Sequence, residues 1–433
     1  MTGPLDVRHI DLAAGPADTA PTGRAAFTAY WWRDLPLGYQ LSSADELPQS
    51  AATLRTLTAQ FAAEQRVGRD PALHAPMLAG SEGYPRPALT LAEALQTEGF
   101  TAWLDAVAQP SALPADHLTL IVCTRDRGAQ LTRCLQALLS QRSPAGELIV
   151  VDNSADGNAA ELCAGVPQVR YVHEPRPGLS HARNAGIAAA TRDIVAFTDD
   201  DVTPHPGWTA EIVRAFAESP AEAVTGLVLP LSLETPAQRA FQIMMGGFGD
   251  RFQPVRFNAH FFNETLAAGA HVWRIGAGAN MAFRRSVFAR VGLFDARLGA
   301  GASGCSEDSE LWYRILATGG ECFYDPRAVV FHEHRSDWPG LERQIRAYMR
   351  GHVSALVAQA DMFGHHGNIR RIFLQLPRYF VSTLLWTVLD QTPERRKILR
   401  QEVAGWASGL LYLFRPGWRH EGPVAPRAAG VEA

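Results

Sequence analysis

Between residues 118 and 198 the chain alternates short apolar runs with segments of helical periodicity, and this alternation restricts the fold more than any other feature. Four strands are predicted, at 118–123, 147–151, 169–173 and 193–198. Helices with apolar residues on one face are predicted between them, at 129–141, 159–164 and 178–190. Strands and helices that alternate in this way build βαβ units around a parallel sheet. The predicted fold class is therefore α/β, with a mostly parallel central sheet flanked by helices.

The fourth predicted strand ends in three consecutive carboxylates, Asp199, Asp200 and Asp201. Ligands of open α/β sheets bind where the strands end, so Asp152 and the polar loop after the first strand should lie beside this triplet. Adjacent carboxylates repel one another unless a cation compensates, and a hard divalent metal carrying phosphates would do so. A solvated acidic turn is the alternative. No glycine-rich phosphate loop follows the first strand, so a metal and side chains would hold the phosphates.

Composition narrows the partners and the compartment. The formal net charge of -4 argues against nucleic acid as the main partner. The five cysteines form no CxxC pair, and their odd number argues against a disulfide framework, so we expect reduced thiols and a cytoplasmic location. The first residues lack the basic-then-apolar order of a signal peptide. The most apolar segment, 372–389, is barely long enough for a membrane span and contains Gln375, Pro377 and Arg378, which favours a partly buried or interfacial helix.

The sequence divides into four predicted segments. Residues 1–115 contain no recognisable chemical motif, and a strand–turn pattern at 27–41 with helices at 53–67 and 88–107 predicts a small accessory α/β or helical domain of unknown role. The other segments are a catalytic domain at 116–336, a helical region at 337–422 and a disordered tail at 423–433. The helical region is basic and has aromatic residues between its arginines. Two interpretations remain open, namely peripheral contact with the inner face of a membrane and an ordinary helical core with solvated arginines.

Six motifs follow one another between Leu118 and Arg335: VCTRDR, VVDNS, GLSHARNAG, AFTDDD, GAGANMAFRR and CSEDSELWYR. In this order they resemble the family 2 glycosyltransferases of the non-processive, inverting type, which have the Rossmann-like GT-A fold. The resemblance covers about half of the chain. It implies an enzyme that moves a sugar from a nucleotide-sugar donor, bound with Mn²⁺ or Mg²⁺, to a hydroxyl group of a glycan, a lipid-linked or a small-molecule acceptor.

The resemblance implies roles for several residues on the donor side. The loop with Thr124, Arg125 and Arg127 would lie under the nucleotide, and Asp152 would accept a hydrogen bond from a uracil imide, with a helix N-cap as the alternative. Arg183 would lie against the nucleotide.

Downstream of these residues, the resemblance places Asn280, which follows the small residues 276–279, against the donor sugar. Close packing without a ligand is the alternative. The glycine- and aromatic-rich segment 244–263 is expected to be a lid or an acceptor-side insertion, with ordinary core packing as the alternative.

For the metal, the resemblance implies Asp201 as a ligand and Asp199 as a second contact, either to the ribose or to the metal through water. Asp200 is expected on the nucleotide, in a role that the sequence does not specify. A histidine would complete the metal site, and His332 and His334 lie on the same face of a predicted strand, so the sequence leaves both open while we favour His332. A nitrogen ligand would favour Mn²⁺ over Mg²⁺.

The catalytic base is expected at the start of the helix that follows a glycine-rich loop. By the resemblance Asp308 is the general base, with Glu307 as the second candidate, although acids also stabilise the first turn of any helix. Two other functions remain open. A nucleotidyltransferase acting on a sugar phosphate would use similar acids, but no glycine loop of the GxGxR type follows the first strand. A non-catalytic nucleotide-sugar-binding module would not need both acidic clusters.

Overall fold

A computed structural model describes residues 3–14, 23–43, 100–249, 251–390, 393–416 and 418. The predicted helix at 53–67, most of the one at 88–107 and the predicted tail lie outside these residues. Within them, the strand–turn pattern near the N-terminus forms a three-stranded sheet in the order β1-β2-β3, with β1 parallel and β3 antiparallel to β2. Its strands are β1 Asp6–Asp11, β2 Ala26–Trp32 and β3 Leu35–Ser42.

The larger sheet has nine strands in the described part of the chain, in the order β10-β12-β9-β11-β7-β4-β5-β6, with β8 paired to β12. Six of these strands run in one direction, because β8, β10 and β11 alone pair antiparallel to their neighbours. The strands are β4 Leu118–Thr124, β5 Glu147–Asp152, β6 Val169–His173, β7 Ile194–Asp199, β8 Val202–Pro204, β9 Ala223–Pro230, β10 Val255–Phe257, β11 Asn280–Arg284 and β12 Cys322–His332. The predicted α/β fold with a mostly parallel sheet is confirmed.

Helices cover both faces of this sheet. They are α1 Phe100–Val107, α2 Gly128–Leu139, α3 Ala160–Ala164, α4 Leu179–Ala189, α5 Trp208–Glu218, α6 Pro236–Arg239, α7 Ala259–Leu266, α8 Val287–Val291, α9 Glu307–Ala317, α10 Trp338–Phe363, α11 His366–Arg370, α12 Leu376–Asp390 and α13 Pro393–Tyr412. A π-helical turn, Ala240–Met244, follows α6, and another, Arg371–Gln375, joins α11 to α12. Short 3-10 helices are Leu12–Ala14 and Val272–Arg274.

Alternate residues of the central strands enter two separate cores. Along β4, Ile121 packs into a layer with α4 and α9, whereas Leu120 and Val122 pack into a layer with α2 and α5. This alternation follows from the two-residue period of a strand and explains why the strands are apolar throughout. The first layer also contains Phe27 and Trp31 of the small N-terminal sheet, so the two sheets share one core.

The long helix α10 lies in the C-terminal part of the chain, and α13 packs along it through close contacts at two glycines. An added Cβ at Gly405 would lie 2.6 Å from the carbonyl oxygen of Arg346, and one at Gly409 would lie 2.7 Å from Val353. These helices confirm the predicted C-terminal helical region. In the part of the chain that the structure describes, no helix combines the length and the apolar character that crossing a membrane requires.

Candidate functional site

A groove of about 1280 Å³ opens where β4 and β7 end. One wall consists of the strand ends, the segment Gly276–Ala279 and the loop that leads into α9. The opposite wall comes from α10, α12 and α13. The predicted site residues that line the groove are Thr124, Arg125, Arg127, Arg183, Asp199, Asp200, Asp201, Glu307, Asp308 and His332. Residues more than two hundred positions apart therefore meet, as the convergence of strand ends predicts.

Asp200, whose role the sequence left open, anchors the loop after β4. Its buried carboxylate accepts hydrogen bonds from Thr124 Oγ1 at 2.8 Å and from Arg127 Nη1 at 2.9 Å. Burial raises the pKa of Asp200 to about 6, against the opposing effect of Arg127. Both oxygens are thus occupied by protein donors, and Asp200 holds in place the two loop residues that face the groove.

Asp201 and His332 form the pair of groups best suited to a metal. His332 Nε2 lies 3.5 Å from Asp201 Oδ1, while the other oxygen, Asp201 Oδ2, accepts a hydrogen bond from Arg127 Nη1 at 2.9 Å. The described residues contain no cluster of three His, Cys, Asp or Glu side chains that would hold a metal by themselves. Two protein ligands nevertheless suit a divalent ion that takes its remaining ligands from substrate phosphates and water.

The second histidine, His334, lies behind His332 and sets its protonation. His334 Nε2 lies 2.9 Å from Gln242 Oε1, and the two Nδ1 atoms of the histidines are 3.0 Å apart. Burial lowers the pKa of His334 to about 3, so its ring is neutral. With Nε2–H donated to Gln242, its Nδ1 accepts from His332 Nδ1–H, which leaves the Nε2 lone pair of His332 facing Asp201. The structure therefore favours His332 over His334 as a ligand.

Arg183 connects the strand-end carboxylates to the helix that carries the candidate bases. Its guanidinium is buried, forms an ion pair with Glu307, and lies 3.5 Å from Asp199 Oδ1. Burial disfavours the charge of Arg183, but the carboxylates of Glu307 and Asp199 outweigh it, and the pKa of Arg183 is raised. The same guanidinium donates to the carbonyl of Gly278 at 3.3 Å. Arg183 thus lies beneath the groove and fixes the distance between its two acidic clusters.

The two candidate bases differ in their surroundings. Glu307 is 5% exposed and paired with Arg183, and burial raises the pKa of Glu307 to about 7. Asp308 is half-buried, and its Oδ1 accepts a hydrogen bond from the backbone N–H of Ser309 at 2.6 Å. A side chain at position 278 would crowd the other oxygen, because an added Cβ at Gly278 would lie 3.0 Å from Asp308 Oδ2. The glycine therefore leaves room for the Asp308 carboxylate beside the segment Gly276–Ala279. This geometry favours Asp308 as the group that meets a substrate.

The loop before α9 is held by α10. Ser306 has a left-handed backbone, with φ 73°, immediately before the helix. Such a conformation is costly for serine and persists where the surroundings enforce it. The contact is close at one glycine of the helix and one of the loop. An added Cβ at Gly351 of α10 would lie 2.4 Å from the carbonyl oxygen of Cys305, and one at Gly304 of the loop would lie 2.8 Å from Ala347 of α10. The helix and the loop therefore touch backbone to backbone.

Asp152 occupies a structural position at the end of β5. Its carboxylate is fully buried and accepts from the backbone N–H of Ser154 and Ala159, and from the Tyr171 hydroxyl. Asp152 is not the helix N-cap that the sequence left open as an alternative, because the N-cap of α3 is Ala159, which has no side-chain cap. Its carboxylate instead holds the turn between β5 and α3. Burial tends to raise the pKa of Asp152, but the hydrogen bonds that it accepts lower it overall. The predicted contact to a uracil base stays a prediction, and in this arrangement the carboxylate has no exposed surface.

Asn280 lies in the core of this structure, and its predicted contact with the donor sugar stays a prediction. The side chain is 1% exposed and does not reach the groove. Its Oδ1 accepts from Trp208 Nε1 at 2.8 Å, and its Nδ2 donates to the carbonyls of Leu227 and Ala328. The small residues before it do line the groove, as expected, but the pleat of β11 turns Asn280 away from the groove into the core between the sheet and α5.

Sequence reasoning missed most of the wall that faces the strand ends. Residues of this wall that line the groove include Trp273, Arg343, Tyr348, His352, Arg371, Tyr379 and Glu402. Residues 246–249 line it too, and the Phe248 ring lies 4.8 Å from the His332 ring. The later phenylalanines of the same segment, Phe252, Phe257, Phe261 and Phe262, are buried in the core, so the lid or insertion and its core-packing alternative each fit one part of the segment. The basic character of the C-terminal helices was the available signal, but only their packing shows that they cover the groove.

Comparison with known proteins gives a consistent result. Residues 119–292 match the family model described as glycosyl transferase family 2. The pre-mycofactocin glycosyltransferase of Mycobacterium tuberculosis is 29% identical over 240 residues, which cover 53% of this chain and 46% of that relative. The succinoglycan biosynthesis protein ExoM of Rhizobium meliloti is 29% identical over 315 residues, 69% of this chain and 94% of the relative. The match to the mycobacterial relative thus spans about half of that protein's length.

A third relative and one solved structure complete the comparison. The glucosyl-dolichyl phosphate glucuronosyltransferase of Haloferax volcanii is 26% identical over 269 residues, covering 56% of this chain and 79% of the relative. The structure of a mannosyltransferase from Pyrobaculum calidifontis, in complex with GDP-Man and Mn²⁺, aligns with a TM-score of 0.48 and 19% identity over 70% of this chain and 91% of that chain.

Proposed function

We propose that this chain, whose residues 119–292 form a glycosyl transferase family 2 domain, transfers a sugar from a nucleotide-sugar donor to a hydroxyl group with inversion and without processivity. One observation carries the proposal: buried Arg183 joins Asp199 at the strand ends to Glu307, the neighbour of Asp308. A diphosphate site and a base for the acceptor are thereby brought to one groove, which a transfer between two bound substrates requires.

On the donor side, Asp201 and His332 would hold a divalent metal, with Asp199 beside them on the ribose or on a metal-bound water. A bound metal of this kind neutralises the diphosphate leaving group and acts as a Lewis acid. Arg127 forms an ion pair with Asp201 and lines the groove, so its guanidinium can also contact the nucleotide's phosphates. Thr124 and Arg125 lie on the same loop, under the expected position of the nucleotide.

On the acceptor side, Asp308 would take the proton of the attacking hydroxyl group. The acceptor oxygen forms its bond to the anomeric carbon as the bond from that carbon to the diphosphate breaks, and the diphosphate leaves with the electron pair. One displacement inverts the anomeric centre. Glu307 does not need to touch the substrate in this scheme, because its pairing with Arg183 positions the first turn of α9.

The membrane-surface interpretation remains part of the proposal. Exposed apolar side chains cluster on and before α12; they are Phe373, Leu374, Val381, Leu384, Leu385 and Trp386, and we call them the outer apolar face. An exposed apolar cluster rimmed by cations is typical of helices that lie on a membrane surface. We propose a cytoplasmic protein that contacts the inner face of the membrane there, and the five free cysteines agree with a reducing compartment.

A thermal-shift screen tests the donor site. UDP, GDP and dTDP are each added with and without Mn²⁺, and we expect one of them at saturation to raise the melting temperature by roughly 2–5 °C only when Mn²⁺ is present. Asp201→Asn should abolish this shift. Asp193→Asn, at an exposed acid immediately before β7, is the matched control and should keep it. If no nucleotide shifts the melting temperature, or if Asp201→Asn shifts like the control, the donor site is assigned wrongly.

A further inference from the structure

Gln242 is the outermost member of a chain of three buried side chains that ends at the proposed metal site. Its Oε1 lies 2.9 Å from His334 Nε2, and Nδ1 of His334 lies 3.0 Å from Nδ1 of His332. Nε2 of His332 in turn lies 3.5 Å from Asp201 Oδ1. Gln242 does not line the groove, so its amide is connected to the site only through the two imidazole rings.

The surroundings of Gln242 hold its amide against His334. Gln242 belongs to the π-helical turn Ala240–Met244, and the ring of its neighbour Phe241 lies edge-on to the His334 ring at 4.8 Å. After this turn the backbone of Gly247, with φ 56°, passes close to the amide. An added Cβ at Gly247 would lie 2.5 Å from Gln242 Oε1. The amide is therefore enclosed by its own turn and by the segment that follows it.

The protons along this chain depend on one another. Each neutral imidazole ring carries one N–H, and the amide oxygen of glutamine can only accept hydrogen bonds. Because an oxygen faces His334 Nε2, the proton of His334 stays on that nitrogen and its Nδ1 is an acceptor. His332 then carries its proton on Nδ1, and its lone pair is on Nε2, the atom that faces Asp201. A doubly protonated His334 would add a buried positive charge beside a metal, which desolvation and repulsion disfavour.

Without the acceptor oxygen, the opposite arrangement becomes available. His334 can then carry its proton on Nδ1 and donate it to Nδ1 of His332. The proton of His332 moves to Nε2 in that arrangement, and a protonated Nε2 has no lone pair for a metal. The tautomer of His332 thus depends on a group that does not contact His332.

We infer that Gln242 is a positioning residue that keeps His332 in the tautomer whose Nε2 can bind a divalent metal. The inference rests on the proposed function, because it concerns the metal site that is assigned there. It adds a residue that is separated from the site by a complete imidazole ring. Hydrogen-bond partners behind a metal-bound histidine commonly change the metal affinity by about 10–100-fold. The contact also predicts that a replacement for Gln242 must keep an acceptor oxygen at this position.

Long-range proton–nitrogen NMR spectra of the metal-free full chain, labelled in its histidine rings, test the tautomer directly. At about pH 8, where unperturbed histidine is neutral, we expect the proton of His332 on Nδ1 in the wild type. The signals are assigned by comparison with His332→Asn and His334→Asn. Gln242→Met replaces the amide with an apolar side chain of similar length, and it should move the proton of His332 wholly or partly to Nε2.

Titration with Mn²⁺ alone, followed by electron paramagnetic resonance, measures the consequence for metal binding. Gln242→Met should weaken Mn²⁺ binding by about tenfold or more. Gln242→Glu keeps an acceptor oxygen and should bind Mn²⁺ within about threefold of the wild type. The matched control is Gln141→Met, at a second buried glutamine whose hydrogen bonds lie elsewhere. This control should change neither the spectrum of His332 nor the affinity for Mn²⁺.

Three results would overturn the inference: a wild-type His332 with its proton on Nε2, an unchanged tautomer in Gln242→Met, or equal losses of Mn²⁺ affinity in Gln242→Met and Gln242→Glu. If Gln242→Met does not fold, the wild-type spectrum and the smaller replacement Gln242→Leu decide the same question. A wild type that binds no Mn²⁺ would reject the proposed metal site, whereas the spectra would still decide whether Gln242 selects the tautomer. Normal Mn²⁺ binding by Gln242→Met would leave the metal site intact and reject the inference alone.

Discussion

The two walls of the groove differ in whether their charged side chains are paired with groups of opposite charge. On the strand-end wall, acids and arginines are already paired: Asp200 and Asp201 with Arg127, and Asp199 and Glu307 with Arg183. On the helical wall, Arg371 rests on an indole ring and a neutral histidine, with no carboxylate partner among the residues described. Ion pairs within the protein hold the side chains of the first wall in fixed positions before any ligand binds. The unpaired cation of the second wall remains available to an anionic ligand.

This difference follows the boundary of the family match in part. Arg127, Arg183 and the carboxylates of Asp199 to Asp201 lie within residues 119–292, whereas Glu307, which pairs with Arg183, and the helices α10 to α13 lie beyond them. The paired wall is therefore built mostly from the matched region, and the helical wall from residues that follow it. Three changes test how far this division holds.

Replacing Asp308, the proposed base, should have the largest effect. Asp308→Asn keeps the size of the side chain but cannot accept the hydroxyl proton, so we expect transfer to fall by about 10³-fold, within the range of general-base losses. Mn²⁺-dependent nucleotide binding should remain, because the donor wall is untouched. The measurement is the initial rate of sugar transfer, together with the nucleotide thermal shift.

The control for this change is Asp156→Asn, which alters an exposed acid and should leave the rate unchanged. Transfer by Asp308→Asn within tenfold of the wild-type rate would contradict the assignment. Glu307 would then become the candidate base. The proposed division of roles, with Asp308 taking the proton and Glu307 positioning the helix, would be wrong.

Replacing Asn280 should lower the stability of the protein without changing its affinity for the donor. Asn280→Ala leaves Trp208 Nε1 and two carbonyls without a buried partner, so the free energy of unfolding should fall by about 2–3 kcal/mol. Donor affinity, measured on the folded variant, should stay within about twofold. Asn158→Ala, at an exposed asparagine, should change stability by less than about 0.5 kcal/mol. A large loss of donor affinity without loss of stability would instead support the predicted contact between Asn280 and the donor sugar.

The smallest expected effect concerns the pH dependence of stability. Burial raises the pKa of Glu307 to about 7, from an ordinary 4.5. Between these values the folded state holds a proton that the unfolded state has released, so this residue makes the free energy of unfolding fall as pH rises. Glu307→Gln should flatten that decline in urea unfolding at about pH 5 and pH 7, whereas exposed Glu161→Gln should not. Parallel curves for the wild type and Glu307→Gln would argue against a raised pKa of Glu307 in the folded state.

The sequence predicted the features that depend on local pattern. The strands β4 to β7, the helices between them and the convergence of the triplet with Thr124 follow from apolar periodicity and from the geometry of parallel sheets. These signals need only neighbours along the chain, and the structure confirms them.

Features that depend on distant contacts were not predictable. Whether Asn280 faces the groove or the core depends on how β11 pairs with β7 and β9. Both of these strands lie far from β11 in the sequence. The role of Asp200 depends on where Arg127 reaches, and the covering of the groove depends on how α10 and α13 pack. In each case a short motif specifies a residue type, but partners from elsewhere in the chain decide the direction of its side chain.

The backbone contact between α10 and the loop before α9 bears on how such enzymes diversify. The helix whose Gly351 presses on Cys305 also presents Arg343, Tyr348 and His352 to the groove. One helix therefore supplies residues to the groove wall and also holds the loop before α9 in place. A chimera that exchanges the C-terminal helices between relatives to alter the acceptor would also disturb the catalytic geometry, unless the loop 299–306 travels with them.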